Sequence, residues 1–175
     1  MKRFKKINKW GFTLIELVIY VSIFIILIIS ITLFALTFIE ANTKSKIKKD
    51  ISSAAYSIIK SISYEVKRAD DIYVPTSIFN SPLGQLSLMT SQQIPSGEKI
   101  GYIDFYLDNG KVYLKREGQN PQILISENFK VTKLEFDHLP SSPDSVRINL
   151  TIEYDTSAPK YRFSYSLNSL ANIRK

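Results

Sequence analysis

A long stretch without a charged side chain dominates this sequence. From Leu17 to Ile39 the chain runs for 23 residues with no Asp, Glu, Lys or Arg, and isoleucine, leucine and phenylalanine make up most of it. An α-helix of this length rises about 35 Å at 1.5 Å per residue, and the hydrocarbon core of a bilayer is about 30 Å thick. We therefore expect a membrane-spanning helix.

The segment before this stretch is short and basic. Five basic residues and no acidic one precede Gly11, so a chain that begins at Phe12 carries a net charge of +2 instead of +7. That balance gives no support to a nucleic-acid partner. A secretory signal peptide has an apolar core of about 7–15 residues followed by a small-residue cleavage site. Here the apolar stretch is longer, and no such cleavage site follows it. Ordinary signal-peptidase processing is not expected.

Glu16 lies inside the apolar run. An ionised carboxylate without a partner is costly in a membrane, so an intramembrane acid suggests a function. The alternative is that Glu16 lies near the interface and its carboxylate reaches water. Physical arguments alone leave both interpretations open.

The residues around Glu16 form a motif. Gly11-Phe12-Thr13-Leu14-Ile15-Glu16, behind a short Lys-rich leader and ahead of a long apolar helix, resembles the cleavage and methylation motif of type IV prepilins and pseudopilins. The resemblance implies cleavage after Gly11 by a prepilin peptidase and N-methylation of Phe12 as the new amino terminus. It also implies a charge pair between Glu16 and the amino terminus of a neighbouring subunit.

The same resemblance sets the expected topology. Basic residues are almost equally numerous on the two sides of the apolar stretch, so the positive-inside rule does not decide it. In the family the leader is cytoplasmic and the C-terminal domain lies outside the cytoplasmic membrane, held by a single span.

Apolar residues at helical spacing continue beyond the membrane segment and predict an amphipathic helix that ends near Asp70-Asp71. The stripe consists of Ile47, Ile51, Ala54, Ala55, Ile58, Ile62, Val66 and Ala69. A second pattern, of period two, predicts strands. Asp108-Asn109-Gly110 is the turn of a hairpin formed by residues 103–107 and 112–114. The other predicted strands are 85–89, 132–138, 145–155 and 160–168.

These patterns predict an α+β protein in which a long N-terminal helix packs on an antiparallel sheet, an arrangement similar to the pilin fold. The expected divisions are a basic leader (1–11), a transmembrane helix (12–39), an amphipathic continuation (40–71) and an extracytoplasmic antiparallel β domain (72–175).

The hairpin sequence and the strand near residue 131 look like those of J-type minor pseudopilins and related minor pilins. The implied function is that of a minor subunit that primes assembly near the tip of a type II secretion pseudopilus or type IV pilus. The implied partners are the prepilin peptidase, other pilin or pseudopilin subunits and the inner-membrane assembly platform.

The chain departs from many pilins in two respects. It has no cysteine, so the C-terminal disulfide loop of many major pilins is impossible. The membrane segment also lacks the proline that many relatives carry.

The alternative from another class is a single-pass sensor or binding module whose helix is only an anchor. No arrangement of residues indicates catalysis, a cofactor or a metal. His138 is the only histidine, and the pairs Asp70-Asp71 and Asp104 with Asp108 are too loosely spaced for a calcium site. The lysines at 44–49 indicate a solvated helix face rather than a phosphate-binding one. Aromatic residues near Tyr113 are expected in a core, not in a single-strand-binding surface.

Overall fold

The structure is a computed structural model that describes residues 11, 13–92, 94, 96–140 and 143–174. It has one long N-terminal helix followed by antiparallel strands, which confirms the α+β class. The elements are α1 (Leu14–Arg68), β1 (Asp71–Ile72), β2 (Gln85–Thr90), β3 (Gly101–Asp108), β4 (Lys111–Arg116), β5 (Gln122–Ile123), β6 (Phe129–Leu139), β7 (Ser145–Tyr154) and β8 (Ser164–Asn172), with 3₁₀ helices at Val74–Thr76 and Pro159–Tyr161.

The chain divides into two compact units between Thr43 and Lys44. The first contains the apolar part of α1, where every residue from Leu14 to Ile39 is exposed. This is a helix long and apolar enough to cross a membrane, with a mean hydropathy of 3.0 over its most apolar stretch. Each large apolar side chain left in water forgoes about 1.5–3 kcal/mol, so an apolar surrounding such as lipid is the favourable environment for this segment.

Five serine and threonine hydroxyl groups in the first unit are satisfied by the helix itself. Each donates a hydrogen bond to the backbone carbonyl oxygen one turn earlier, at distances of 2.8–3.1 Å. The donors are Ser22, Ser30, Thr32, Thr37 and Thr43. Since lipid offers no partner for polar groups, internal bonding is what a spanning helix requires.

The second unit is built around the predicted amphipathic stripe. Ile51, Ala55, Ile58, Ile62 and Val66 are each at most 1% exposed, so the stripe is confirmed, although Ala54 is only half-buried. The helix ends at Arg68, slightly before the predicted position.

The stripe also buries one carboxylate that the sequence pattern did not predict. Glu65 is 8% exposed and forms an ion pair with Arg116 of β4, with 2.6 Å between Nη2 and Oε1. Removing one member of such a pair leaves the other charge without a partner in a poorly hydrated place.

The strands form two antiparallel sheets, not the single sheet predicted from the sequence. Sheet A has the order β1-β2-β3-β4-β5 and sheet B the order β6-β7-β8. The two meet where the backbone beside β2 approaches β6, and the N–H of Gly84 donates to the carbonyl oxygen of Leu134 at 2.8 Å. A Cβ at Gly84 would lie 2.8 Å from that oxygen, so glycine permits the contact. The two-residue strands β1 and β5 were not predicted, because so short a segment has no periodicity.

The predicted hairpin is confirmed as β3 and β4. Asn109 and Gly110 between them both have positive φ, 48° and 74°, as a two-residue type I′ turn requires. Asp108 lies opposite Lys111 in the register of the two strands.

The last strand begins later than the sequence predicted. Residues 160–163 do not belong to β8, because Pro159 starts a 3₁₀ helix that occupies Pro159–Tyr161. The alternating apolar side chains of this region nevertheless pack against the core, as the pattern indicated; they are Tyr161, Phe163, Tyr165 and Leu167.

We predict that Ile62→Ala lowers the free energy of unfolding of the second unit by about 2–5 kcal/mol, because it leaves a cavity at a fully buried position. Lys60→Ala, on the exposed side of the same helix, is the matched control and should change it by less than about 0.5 kcal/mol. Urea denaturation of the full chain in detergent micelles measures both values. Equal losses would contradict the role assigned to the stripe.

Candidate functional site

The candidate site is the start of α1, where the motif residues lie. Gly11 is exposed, and a Cβ built on it meets no atom within 4 Å. Phe12 and the leader residues 1–10 lie outside the described residues. Cleavage after Gly11 and methylation of Phe12 therefore stay predictions.

Thr13 and Glu16 form a capping box at the helix start. The backbone N–H of Thr13 donates to Oε2 of Glu16 at 3.0 Å, and the Thr13 hydroxyl donates to the same oxygen at 2.8 Å. In return the N–H of Glu16 donates to the Thr13 hydroxyl oxygen at 3.4 Å. The side chain of Thr13 thus occupies the N-cap position and that of Glu16 the third helical position, which is the reciprocal arrangement of this motif.

The capping box gives Glu16 a partner within its own chain. The carboxylate also lies at the positive end of the helix dipole, which favours a negative charge there. An acid at this place is therefore stabilised before any second subunit is present. The intersubunit charge pair that the family resemblance implies for Glu16 stays a prediction.

One oxygen of the carboxylate keeps its capacity to accept a hydrogen bond. Both bonds from Thr13 go to Oε2, and Oε1 has no donor among the residues that the structure describes. Glu16 can therefore cap its helix and still accept a cation or donor from elsewhere.

The capping box is a feature that sequence reasoning missed, although it was readable. Thr13 and Glu16 stand three residues apart directly before an apolar run, which is the sequence pattern of a capping box.

Other residues considered from the sequence do not form a chemical site. His138 stacks on Phe79, with ring centroids 5.4 Å apart, and its Nε2 is 3.4 Å from Oδ2 of Asp144. These contacts indicate a structural role for His138. Asp104 accepts a hydrogen bond from the hydroxyl of Ser87 at 2.6 Å. Within the described part of the chain, no three His, Asp or Glu residues are grouped closely enough to hold a metal ion.

The aromatic residues near Tyr113 do not occupy the core, contrary to the sequence-based expectation. Tyr113 is only half-buried and stacks on Tyr106 across the β3–β4 hairpin, with ring centroids 5.3 Å apart. The core side of these strands is occupied instead by Phe105, Val112 and Leu114. The alternation of the sequence therefore predicted the buried face correctly, and the expectation of a core position was wrong for Tyr106 and Tyr113.

Comparison of this chain with models of protein families, with curated proteins and with solved structures finds no match.

We predict that the first turn of α1 frays in Thr13→Ala and in Glu16→Ala but not in Glu16→Gln. Loss of an N-cap costs about 0.5–2 kcal/mol, whereas glutamine can replace glutamate in a capping box. Amide hydrogen exchange at Glu16 and Leu17, whose N–H groups bond to Thr13, reports the fraying when it is measured by NMR on the full chain in micelles. Faster exchange in Glu16→Gln than in Glu16→Ala would contradict the assignment of Thr13 and Glu16 as a capping box.

Proposed function

We propose that this chain is a minor pilin or pseudopilin, a structural subunit that is cleaved after Gly11, methylated at Phe12 and assembled through α1 into a type II secretion pseudopilus or type IV pilus near its tip. The proposal includes a pilin-like fold and a single span with the C-terminal unit outside the cytoplasmic membrane. The prepilin peptidase, other subunits and the inner-membrane assembly platform are its partners.

The observation that carries the proposal is the helix start. An exposed apolar helix begins at Leu14, three residues after Gly11, and the acidic side chain in its first turn is held by Thr13, while its other oxygen has no donor among the described residues. An ordinary anchor needs only apolar residues; Thr13 offsets the cost of burying the acid, but an anchor has no use for its charge. An assembling helix has a use for that acid, because the amino terminus of a neighbouring subunit is a cation.

The proposed pairing uses Oε1 of Glu16. In the cleaved chain the N–H of Thr13 is still present, so the capping box persists with Phe12 as the new terminus. A charge pair formed inside an apolar bundle is strong when both groups are well hydrogen-bonded, and Thr13 already satisfies the other carboxylate oxygen.

A single-pass sensor or binding module is the second candidate. It shares the apolar helix and the folded unit with the first, but it requires neither cleavage nor methylation. Processing therefore separates the two.

We predict that mass spectrometry of the chain extracted from membranes of cells with a prepilin peptidase finds Phe12 as the N-methylated first residue. Gly11→Leu, which places a bulky side chain at the cleavage site, should leave Met1 or an unprocessed leader in place. An intact leader on the unaltered chain would favour the anchored sensor or binding module.

We predict that incorporation into filaments depends on the charge of Glu16. Glu16→Gln retains the capping box but removes the charge, so it should reduce incorporation into filaments at least tenfold, as Glu16→Ala does. Thr13→Ala keeps the charge, and its loss of incorporation should be smaller. Quantitative immunoblotting of sheared filaments, with the amount in the membrane as control, measures incorporation. Normal incorporation of Glu16→Gln would show that capping, not charge pairing, is the role of this residue.

A further inference from the structure

Strand β8 is the long open edge of sheet B. It pairs with β7 in unbroken register over nine residues, and no strand formed by the described residues lies on its other side. The opposite edge of the sheet, β6, is partly covered: Leu134 bonds with Pro82 and Gly84, and Val131 donates to the carbonyl oxygen of Gly110.

Two hydrogen bonds show which backbone groups of β8 point away from β7. The N–H of Tyr154 donates to the carbonyl oxygen of Phe163 at 2.9 Å, and that of Ile173 donates to Asp144 at 3.0 Å. Hydrogen-bonded pairs alternate along an antiparallel ladder, so the odd-numbered residues of β8 bond to β7. The outward N–H and C=O groups belong to Ser164, Ser166, Asn168, Leu170 and Asn172, and none bonds to other backbone among the described residues.

This edge lacks the features that usually prevent strand pairing. Natural edges carry charged side chains, proline or a bulge, or they are very short. The nine residues of β8 include no charged residue and no proline, and their register has no bulge. By contrast, the outer face of the covered strand β6 carries charges, among them Lys133 and Glu135, which pair at 2.7 Å.

An apolar groove lies beside the open edge. It has a volume of about 430 Å³ and is lined by Lys48, Ile51, Ser52 and Tyr56 of α1 and by Phe163, Ser164 and Tyr165. The ring of Tyr56 is tilted against that of Tyr165, with centroids 6.5 Å apart, yet Tyr56 is 58% exposed. A strand added to β8 would turn every second side chain toward the helix, into this groove.

We propose that the β8 edge binds an extended segment of a different polypeptide, with apolar side chains at alternate positions, as a fourth strand of sheet B. The backbone of the added segment bonds to the outward N–H and C=O groups of β8, and those of its side chains that face the helix enter the groove. This is the recognition mode of β-strand addition. A second copy of β8 does not meet this requirement, because its helix-facing Tyr165 and Leu167 already pack against its own core. The inference goes beyond the proposed function and does not depend on it.

The test uses a synthetic peptide with the sequence of β7, Ser145–Tyr154, blocked at both ends. This sequence already pairs with β8 on its other side and has apolar residues at alternate positions. Added to the full chain in micelles, it should slow amide exchange at Ser166, Asn168 and Leu170 at least tenfold in a saturable manner. The same peptide with alternate backbone amides N-methylated is the matched control and should have no effect.

Two variants of the chain test separately the contributions of backbone pairing and of the groove to peptide binding. Asn168→Pro removes one outward N–H without removing a bond to β7 and should weaken peptide binding at least tenfold. Tyr56→Ala, at an exposed position of the groove, should weaken it several-fold. Ile123→Ala, an exposed apolar residue of sheet A, should have no effect, and circular dichroism confirms that each variant is folded.

Three results would overturn the proposal. One is the absence of saturable protection at millimolar peptide. Another is equal binding of the N-methylated peptide. The last is self-association of the chain through β8, seen in analytical ultracentrifugation and abolished by Asn168→Pro, which would make a second copy the occupant.

Discussion

The packing of the buried face of α1 is the interaction on which the folded unit depends. Ile51, Ile58 and Ile62 are almost completely removed from solvent, and one continuous hydrophobic cluster joins this face to the inner sides of both sheets. Few backbone hydrogen bonds connect sheet A to sheet B, and the chain has no cysteine to join them by a disulfide. The helix therefore supplies much of the apolar surface that holds the two sheets together. Loss of the helix over residues 44–68 would remove this apolar surface from the core.

The same helix satisfies a different constraint in its apolar part. In a hydrocarbon environment each unpaired polar group costs several kcal/mol, because no water replaces the missing bond. Serine and threonine hydroxyl groups bond backward to the helix, and Glu16 bonds to Thr13. A carboxylate held by one oxygen also presents the other in a fixed direction, and preorganisation reduces the entropy lost when a partner binds. Capping and intersubunit pairing are thus compatible roles for Glu16.

The parts of the fold that follow from periodicity were predictable from the sequence. Spacings of three and four gave the buried stripe, alternation gave β3, β4 and β7, and Asn109-Gly110 gave the turn. The split into two sheets was not predictable, because it depends on the close approach of Gly84 to Leu134, a contact between distant segments. The late start of β8 depends on the 3₁₀ turn at Pro159. At the candidate site the sequence marked Glu16, but a motif is a local pattern and does not reveal which oxygen stays open.

The helix start and the β8 edge differ in how their hydrogen-bonding groups are satisfied within the chain. In a hydrocarbon environment an unmet hydrogen-bonding group has no substitute partner, and the Thr13–Glu16 box supplies partners from within the chain. At the edge of a sheet water bonds to the outward N–H and C=O groups, and exchange of water for a protein partner changes the free energy by only about 0.5–1.5 kcal/mol per bond. An open edge therefore costs little until a partner arrives. The Tyr56 ring is 58% exposed in the free chain. Its burial, together with several such hydrogen bonds, would favour strand addition, although the edge is also stable in water without a partner.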